Sequence, residues 1–195
     1  MVLAHKSATY EDLRKLPESV RAEVIHGEVV VAPSARARHG RTTTRLGGKL
    51  GDQFDPPRQD DAGWWIVADV DVQFDRHDIY RPDLSGWQRS RMLKLPDTLP
   101  ITVVPDWVCE VLSPSNQRYD RTLKMTVYRD TGVRHVWLVD PQEGYLEAFE
   151  NDNGRWILLG TWVDGDVVGI APFLELELDV GALFEPVAEP TPSGF

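Results

Sequence analysis

The chain has 195 residues, a length that suits one domain, and 42% of them are hydrophobic, enough to fill a core. Its formal net charge of −10 repels polyanions at long range and counts against avid nonspecific nucleic-acid binding. No apolar run approaches the roughly 20 residues needed to cross a membrane, and the single cysteine, Cys109, excludes an intramolecular disulfide and a cysteine zinc cage.

The opening "MVLAHKSATYEDLRK" lacks the apolar stretch of a secretory signal, so the cytoplasm is the expected compartment. Residues 10–16 read as a short helix with Thr9 as N-cap. In "AEVIHGEVVVAPS" two β-branched runs flank His26-Gly27, the signature of a hairpin turn. Ser34 to Phe54 has helical stretches with one apolar stripe, weakened by Gly47 and Gly48. Arg36, Arg38, Arg41, Arg45 and Lys49 make it the most basic segment, able to meet phosphates or simply to face solvent. Residues 63–75 are strand-rich, with Ala68, Val70, Val72 and Phe74 alternating with Asp69, Asp71 and Gln73. "RPDLSGW" (81–87) is a short strand entered through a proline, and 89–102 reads as a mobile loop.

A central strand follows in "VPDWVCEVL" (104–112), then a helix over 120–132 ended by Gly132, then a buried strand over 133–141. Strand, helix, strand is a βαβ-like unit and predicts two adjacent parallel strands. "GYLEAFE" and "GRWILLG" form a hairpin around residues 151–154, and "LELDVGALF" ends the fold. The expected architecture is a single α/β (α+β) domain over residues 1–185, a mixed β-sheet flanked by helices with added hairpins. The Pro-rich tail 186–195 is expected to be disordered.

Alternation along the central strand sends Val108, Glu110 and Leu112 one way, and Trp107, Cys109 and Val111 the other. A buried, unpaired carboxylate costs several kcal/mol or takes up a proton. Glu110 therefore needs a cation, a hydrogen-bond cluster or a metal. Asp83 lies at the start of another strand, and if the two strands are neighbours their acids converge at one sheet edge. Two carboxylates with water and a backbone carbonyl make an oxygen-rich site for Mg²⁺ or Mn²⁺. Asp120, Lys124 and Tyr128, spaced by four, share one helix face. A lysine beside such a metal can offset charge on a pentacovalent phosphate or help deprotonate water. The histidines at 5, 26, 39, 77 and 135 show no zinc-ligand spacing, and Ser113 and Ser115 lack a nucleophile-elbow context.

"RPDLSGW", "PDWVCEVLSPSNQRYDRTLKMTVYRDTGVRHVWLVDP" and "AEVIHGEVVVAPS" together resemble the Uma-type endonuclease family, of the PD-(D/E)xK restriction-endonuclease-like superfamily, over residues 8–185. The resemblance implies a divalent-metal nuclease site in a restriction-endonuclease-like fold. It makes Asp83 the first metal carboxylate and Glu110 the acid of the (D/E)xK strand. Leu112 stands where the parent motif has lysine, and Lys124 on the next helix is its substitute. Glu28 matches an additional acid from the N-terminal part.

Each residue also has an ordinary reading. Glu110 can pair with a buried cation, Asp83 can shape a turn after Pro82, and Lys124 can pair with Asp120 on a helix surface. Glu28 can be solvated, Asp120 can favour a helix N-terminus, Tyr128 can be core, and His39 can be a surface histidine. Asp106 starts the strand outside the site. The expected function is a Mg²⁺- or Mn²⁺-dependent endonuclease hydrolysing phosphodiesters in DNA. A non-catalytic binding module, favoured by Leu112, and a phosphohydrolase of small nucleotides, favoured by the charge, are the competing readings. Tyr145, Phe149, Trp156 and Trp162 offer a homodimer interface or additional core.

Overall fold

The computed structural model describes residues 7–32, 36–56, 62–114 and 117–184. Ser34, Ser115 and the tail 186–195 lie outside the described residues. Helix α1 (Tyr10–Leu13) is a single turn, shorter than 10–16, and Asp12 Oδ2 accepts the Thr9 backbone N–H at 3.0 Å. Strands β1 (Ala22–Ile25) and β2 (Glu28–Val31) pair antiparallel around His26 and Gly27, whose φ angles are 50° and 78°. Two left-handed residues are what a two-residue hairpin turn of the favoured twist requires. Helix α2 (Ala37–Phe54) buries Thr42, Leu46 and Leu50, one per turn. Gly47 assists this packing rather than weakening it. A Cβ there would meet Leu84 Cδ2 at 3.1 Å, so the glycine lets the helix lie close to the sheet.

The segment 63–75 is not one alternating strand. It divides into β3 (Trp64–Ala68) and β4 (Val72–Asp75), which belong to different sheets. The chain changes sheet at Asp69, whose φ of 56° ends the extended run. Ala68 is consequently exposed, while Asp71 is buried and takes Arg81 Nε at 2.7 Å. Strand β5 (Asp78–Tyr80) returns antiparallel to β4. Next come β6 (Leu84–Gln88) and a stretch without regular structure up to Asp106. That stretch is pinned rather than free: Ile101 is buried and bridges Val72.

Strand β7 (Trp107–Val111) leads into α3 (Gln117–Tyr119), a π-helical turn (Asp120–Lys124) and α4 (Met125–Thr131). Gly132 ends α4 with a φ of 89°. Strands β8 (His135–Asp140), β9 (Tyr145–Asp152) and β10 (Arg155–Val163) complete a six-stranded sheet ordered β10-β9-β8-β7-β6-β3. Strands β7 and β8 run parallel, as the βαβ reading predicts, and the other neighbours are antiparallel. A second sheet is ordered β2-β1-β5-β4, and β11 (Val167–Ile170) pairs with β12 (Phe173–Asp179) as a ribbon. The whole is a mixed α+β fold of many strands and few helices.

Two apolar clusters cover the large sheet. One contains Leu46 and Leu50 of α2, Trp107, Cys109 and Val111 of β7, Trp137, and Phe173 of β12. The other contains Val108, Leu112, Val136 and Leu138 with Met125 and Tyr128 of α4 and Tyr80 of β5. The two faces of β7 are thus divided as strand alternation predicts, and Glu110 lies on the α4 side. No helix among the described residues is long and apolar enough to cross a membrane.

Candidate functional site

Glu110 is the one acid in a strand whose five residues are all buried, and it is itself 3% exposed. The π-helical turn delivers its partners. Asp120 and Lys124 begin and end that turn, which closes with Met125 N–H donating to Asp120 O, five residues back. Such wide turns are rare and occur often at functional sites. Lys124 Nζ lies 3.2 Å from Glu110 Oε1, 3.3 Å from Asp120 Oδ1 and 2.9 Å from Glu23 Oε1. Tyr128, one turn on, donates its hydroxyl to Glu110 Oε1. The Tyr80 ring stands 5.7 Å from the ammonium, and its own hydroxyl donates to Asp78 Oδ1 at 2.6 Å.

Asp83 completes the cluster from the sheet. The β6–β7 register pairs Leu84 with Cys109, so one step further sets Asp83 opposite Glu110. Asp83 Oδ2 accepts the Val111 N–H at 2.8 Å and lies 3.2 Å from His39 Nε2 of α2. His39 Nδ1 is buried without a hydrogen-bond partner among the described residues. Burial works against charge on His39, but the bond to Asp83 and its charge outweigh that and raise the histidine's pKa.

One ammonium faces three carboxyl groups, Glu23, Glu110 and Asp120, and the charge of Asp83 acts on Glu110 and Asp120. Glu110 is the group that gives way. Burial pushes it well above the usual carboxyl range against the pull of Lys124, and the charges of Asp120, Asp83 and Glu23 push it further. Asp120 is raised to about 6, by burial first. Lys124 moves the other way for an amine in a dry site. Burial opposes its charge, but the surrounding acids more than compensate and hold it as an ammonium well above its ordinary range. Burial and the adjacent Glu110 also keep Tyr128 protonated. A fixed positive charge amid excess acid can balance developing negative charge; it cannot take a proton from water.

The Uma2 family model, described as "Putative restriction endonuclease", matches residues 8–181. The chain belongs to the Uma2 family. Its fold is shared with a crystal structure of a putative nuclease belonging to DUF820 from Anabaena variabilis ATCC 29413, at a TM-score of 0.72 and 22% identity. That match covers 91% of this chain and 97% of the other, and it is the restriction-endonuclease-like fold. A stretch of 66 residues, 31% of this chain, is 38% identical to pyridoxine 5'-phosphate synthase of Synechococcus sp. (strain WH7803). The chain spans only 27% of that synthase, and the activity of the whole enzyme does not transfer through so short a segment.

In this Uma2-family chain Glu110 and Lys124 are in contact, with Asp83 on the Val111 N–H beside them. Asp120 and Tyr128, read first as helix charge and as core packing, contact Lys124 and Glu110 respectively. His39 is not a surface residue but the partner of Asp83. Glu28 is not brought in. It is exposed at the first position of β2, opposite Ile25 across the turn. Glu23 on β1 reaches Lys124 instead. The signal for it was present in "AEVI", an acid between apolar residues, the same pattern that exposes Glu110 in "WVCEV". Asp106 stands apart, accepting the Gln88 N–H at 2.9 Å. Of the hairpin aromatics, Phe149 and Trp156 pack on each other and on the α4-side core, and Trp162 packs on the opposite cluster.

Oxygen donors are what a hard divalent cation takes, and the cluster holds more acid than base. Among the described residues no group of three or more His, Cys, Asp or Glu side chains already converges to hold a metal ion. The ammonium of Lys124 is the cation on which Glu23, Glu110 and Asp120 converge.

Proposed function

We propose that this Uma2-family protein is a divalent-metal-dependent endonuclease that hydrolyses phosphodiester bonds in DNA. The observation that carries the reading is the buried Lys124 ammonium set among Glu110, Asp120 and Glu23, beside Asp83. Asp83 and Glu110 would hold Mg²⁺ or Mn²⁺, which when bound supplies Lewis acidity and an activated water. Lys124 contributes fixed positive charge to the phosphoryl oxygens as negative charge develops. Tyr128 orients Glu110 through its hydroxyl. His39 fixes the rotamer of Asp83, and the Val111 N–H shares that task.

The test is plasmid cleavage with Mg²⁺ or Mn²⁺ by wild type, Asp83→Asn, Glu110→Gln and Lys124→Ala. Wild type is expected to cleave, with each variant reduced about 100-fold or more. Equal cleavage by all four would mean a contaminant or another site. A second reading, a nuclease-like module that binds without catalysis, is favoured by the depth of the cluster, where Glu110 and Lys124 are 3% and 5% exposed. Calorimetry with Mg²⁺ separates them, since the module predicts no ion uptake that depends on Asp83 and Glu110.

A further inference from the structure

We propose that Glu23 is the positioning residue of this site: it holds Lys124 and locks the segment that leads into Asp83, between β5 and β6, to the helix that carries the ammonium. This rests on the nuclease reading for its kinetic consequence, but its structural consequence is independent of it. The geometry is specific. One atom, Glu23 Oε1, accepts from two elements. It lies 2.9 Å from Lys124 Nζ, the shortest of the three carboxylate contacts to that amine. It also accepts the Arg81 backbone N–H at 2.7 Å, two residues before Asp83.

The other carboxylates make different joins, and Asp83 Oδ2 ties the Val111 N–H of β7 to His39 of α2. Asp120 shares a helix turn with Lys124 and cannot fix that turn relative to the sheet. Glu110 is held by the rigid centre of the sheet and bonds Lys124 and Tyr128. Glu23 comes from the small sheet, in β1 next to β5, and reaches across to both halves of the site. A buried oxygen that holds a backbone N–H and an ammonium together fixes the ammonium relative to that backbone. The position of the Lys124 ammonium relative to the segment that leads into Asp83 is therefore set by an acid on a third strand. Glutamate suits the task because a carboxylate oxygen accepts two hydrogen bonds, one of them charge-assisted. Glutamine keeps the acceptor for Arg81 and removes the charge that orders the amine.

The experiment reads Lys124 directly. In ¹⁵N-lysine-labelled wild type, the Lys124 ammonium should give a ¹H–¹⁵N signal, because three carboxylate contacts and burial slow its exchange with water. Lys124→Met assigns the signal. In Glu23→Gln the signal is expected to vanish or its exchange to speed at least tenfold, with the thermal transition still cooperative. Plasmid cleavage by the same variant is expected to lose at least tenfold in kcat, with KM and calorimetric Mg²⁺ affinity within about threefold of wild type.

Absence of a protected ammonium in wild type overturns the proposal without any variant. So does a signal that survives Glu23→Gln unchanged, or an equal loss of protection in Glu28→Gln. A tenfold loss of Mg²⁺ affinity in Glu23→Gln also overturns it, by making Glu23 an ion ligand. If wild type shows no cleavage at all, the nuclease reading fails, while the exchange measurement still decides the role of Glu23. If Glu23→Gln does not fold, Glu23→Asp serves. Its shorter reach should free the ammonium while retaining charge, and a fully protected ammonium there would overturn the proposal.

Discussion

Strand β7 has two faces that differ in what they hold. Toward α2 and β12 it presents Trp107, Cys109 and Val111. Trp107 and Trp137 pack edge-on with ring centroids 5.3 Å apart, and Phe173 closes on them at 5.1 and 5.7 Å. That cluster is built from apolar side chains. Toward α4 the same strand presents Val108, Glu110 and Leu112, and here the Lys124 ammonium meets Glu23, Glu110 and Asp120, with the Tyr128 hydroxyl on Glu110. Residues one position apart thus serve opposite purposes. The dry face supplies stability through burial of large rings, and the charged face spends some of that stability on a cluster that no apolar core would need.

The largest effect belongs to the dry face. Phe173→Ala removes a ring at the centre of the aromatic cluster and should cost about 3–5 kcal/mol in denaturant unfolding. Cleavage per folded molecule should not change; a parallel fall in cleavage would erase the distinction between the faces. Next comes Lys124→Met, which leaves buried acids without their cation and should cost about 3 kcal/mol. Adding Glu110→Gln should return part of that loss, and a double-mutant cycle measures how much.

The third prediction concerns pH. Burial raises Asp120 to about 6 against the pull of Lys124, with help from Glu23 and Asp83. A carboxyl whose folded pKa is raised contributes stability that is complete below its unfolded value of about 3.9 and lost as pH climbs through the folded one. Between about pH 4 and pH 6 wild type should lose stability that Asp120→Asn keeps. Comparing the two unfolding midpoints across that window isolates the contribution from other titrating groups; parallel curves would mean that Asp120 is not held protonated. The smallest effect lies outside both faces. Gly132→Ala at the left-handed end of α4 should cost about 1 kcal/mol, read as a lowered Tm with cleavage retained.

Much of this was legible in the residues. Glu110 stood out because an acid in "WVCEV" has no ordinary reason to be there, and the parallel β7–β8 pair followed from strand, helix and strand in succession. Glu23 was missed although "AEVI" carries the same conflict, because β1 is only four residues long and its hairpin offered a second acid, Glu28, nearer the turn. The break at Asp69 was hidden by an alternation that runs through it. A period of two says which way side chains point, not that the backbone stays in one sheet. Strands β5 and β11 passed unnoticed as three- and four-residue runs, too short for any period to register. The partnership of His39 with Asp83 joins positions 44 apart and has no local trace.

The wide turn from Asp120 to Lys124 amounts to one surplus residue threaded into an otherwise regular helix. Downstream, α4 is anchored by buried Met125, Val127 and Tyr128, so its orientation is fixed from that end. Excising a single position such as Thr122 would let the coil tighten into a regular α-helix and bring Asp120 from four residues to three before the lysine, which keeps both on one face but changes the angle at which the carboxyl meets the amine.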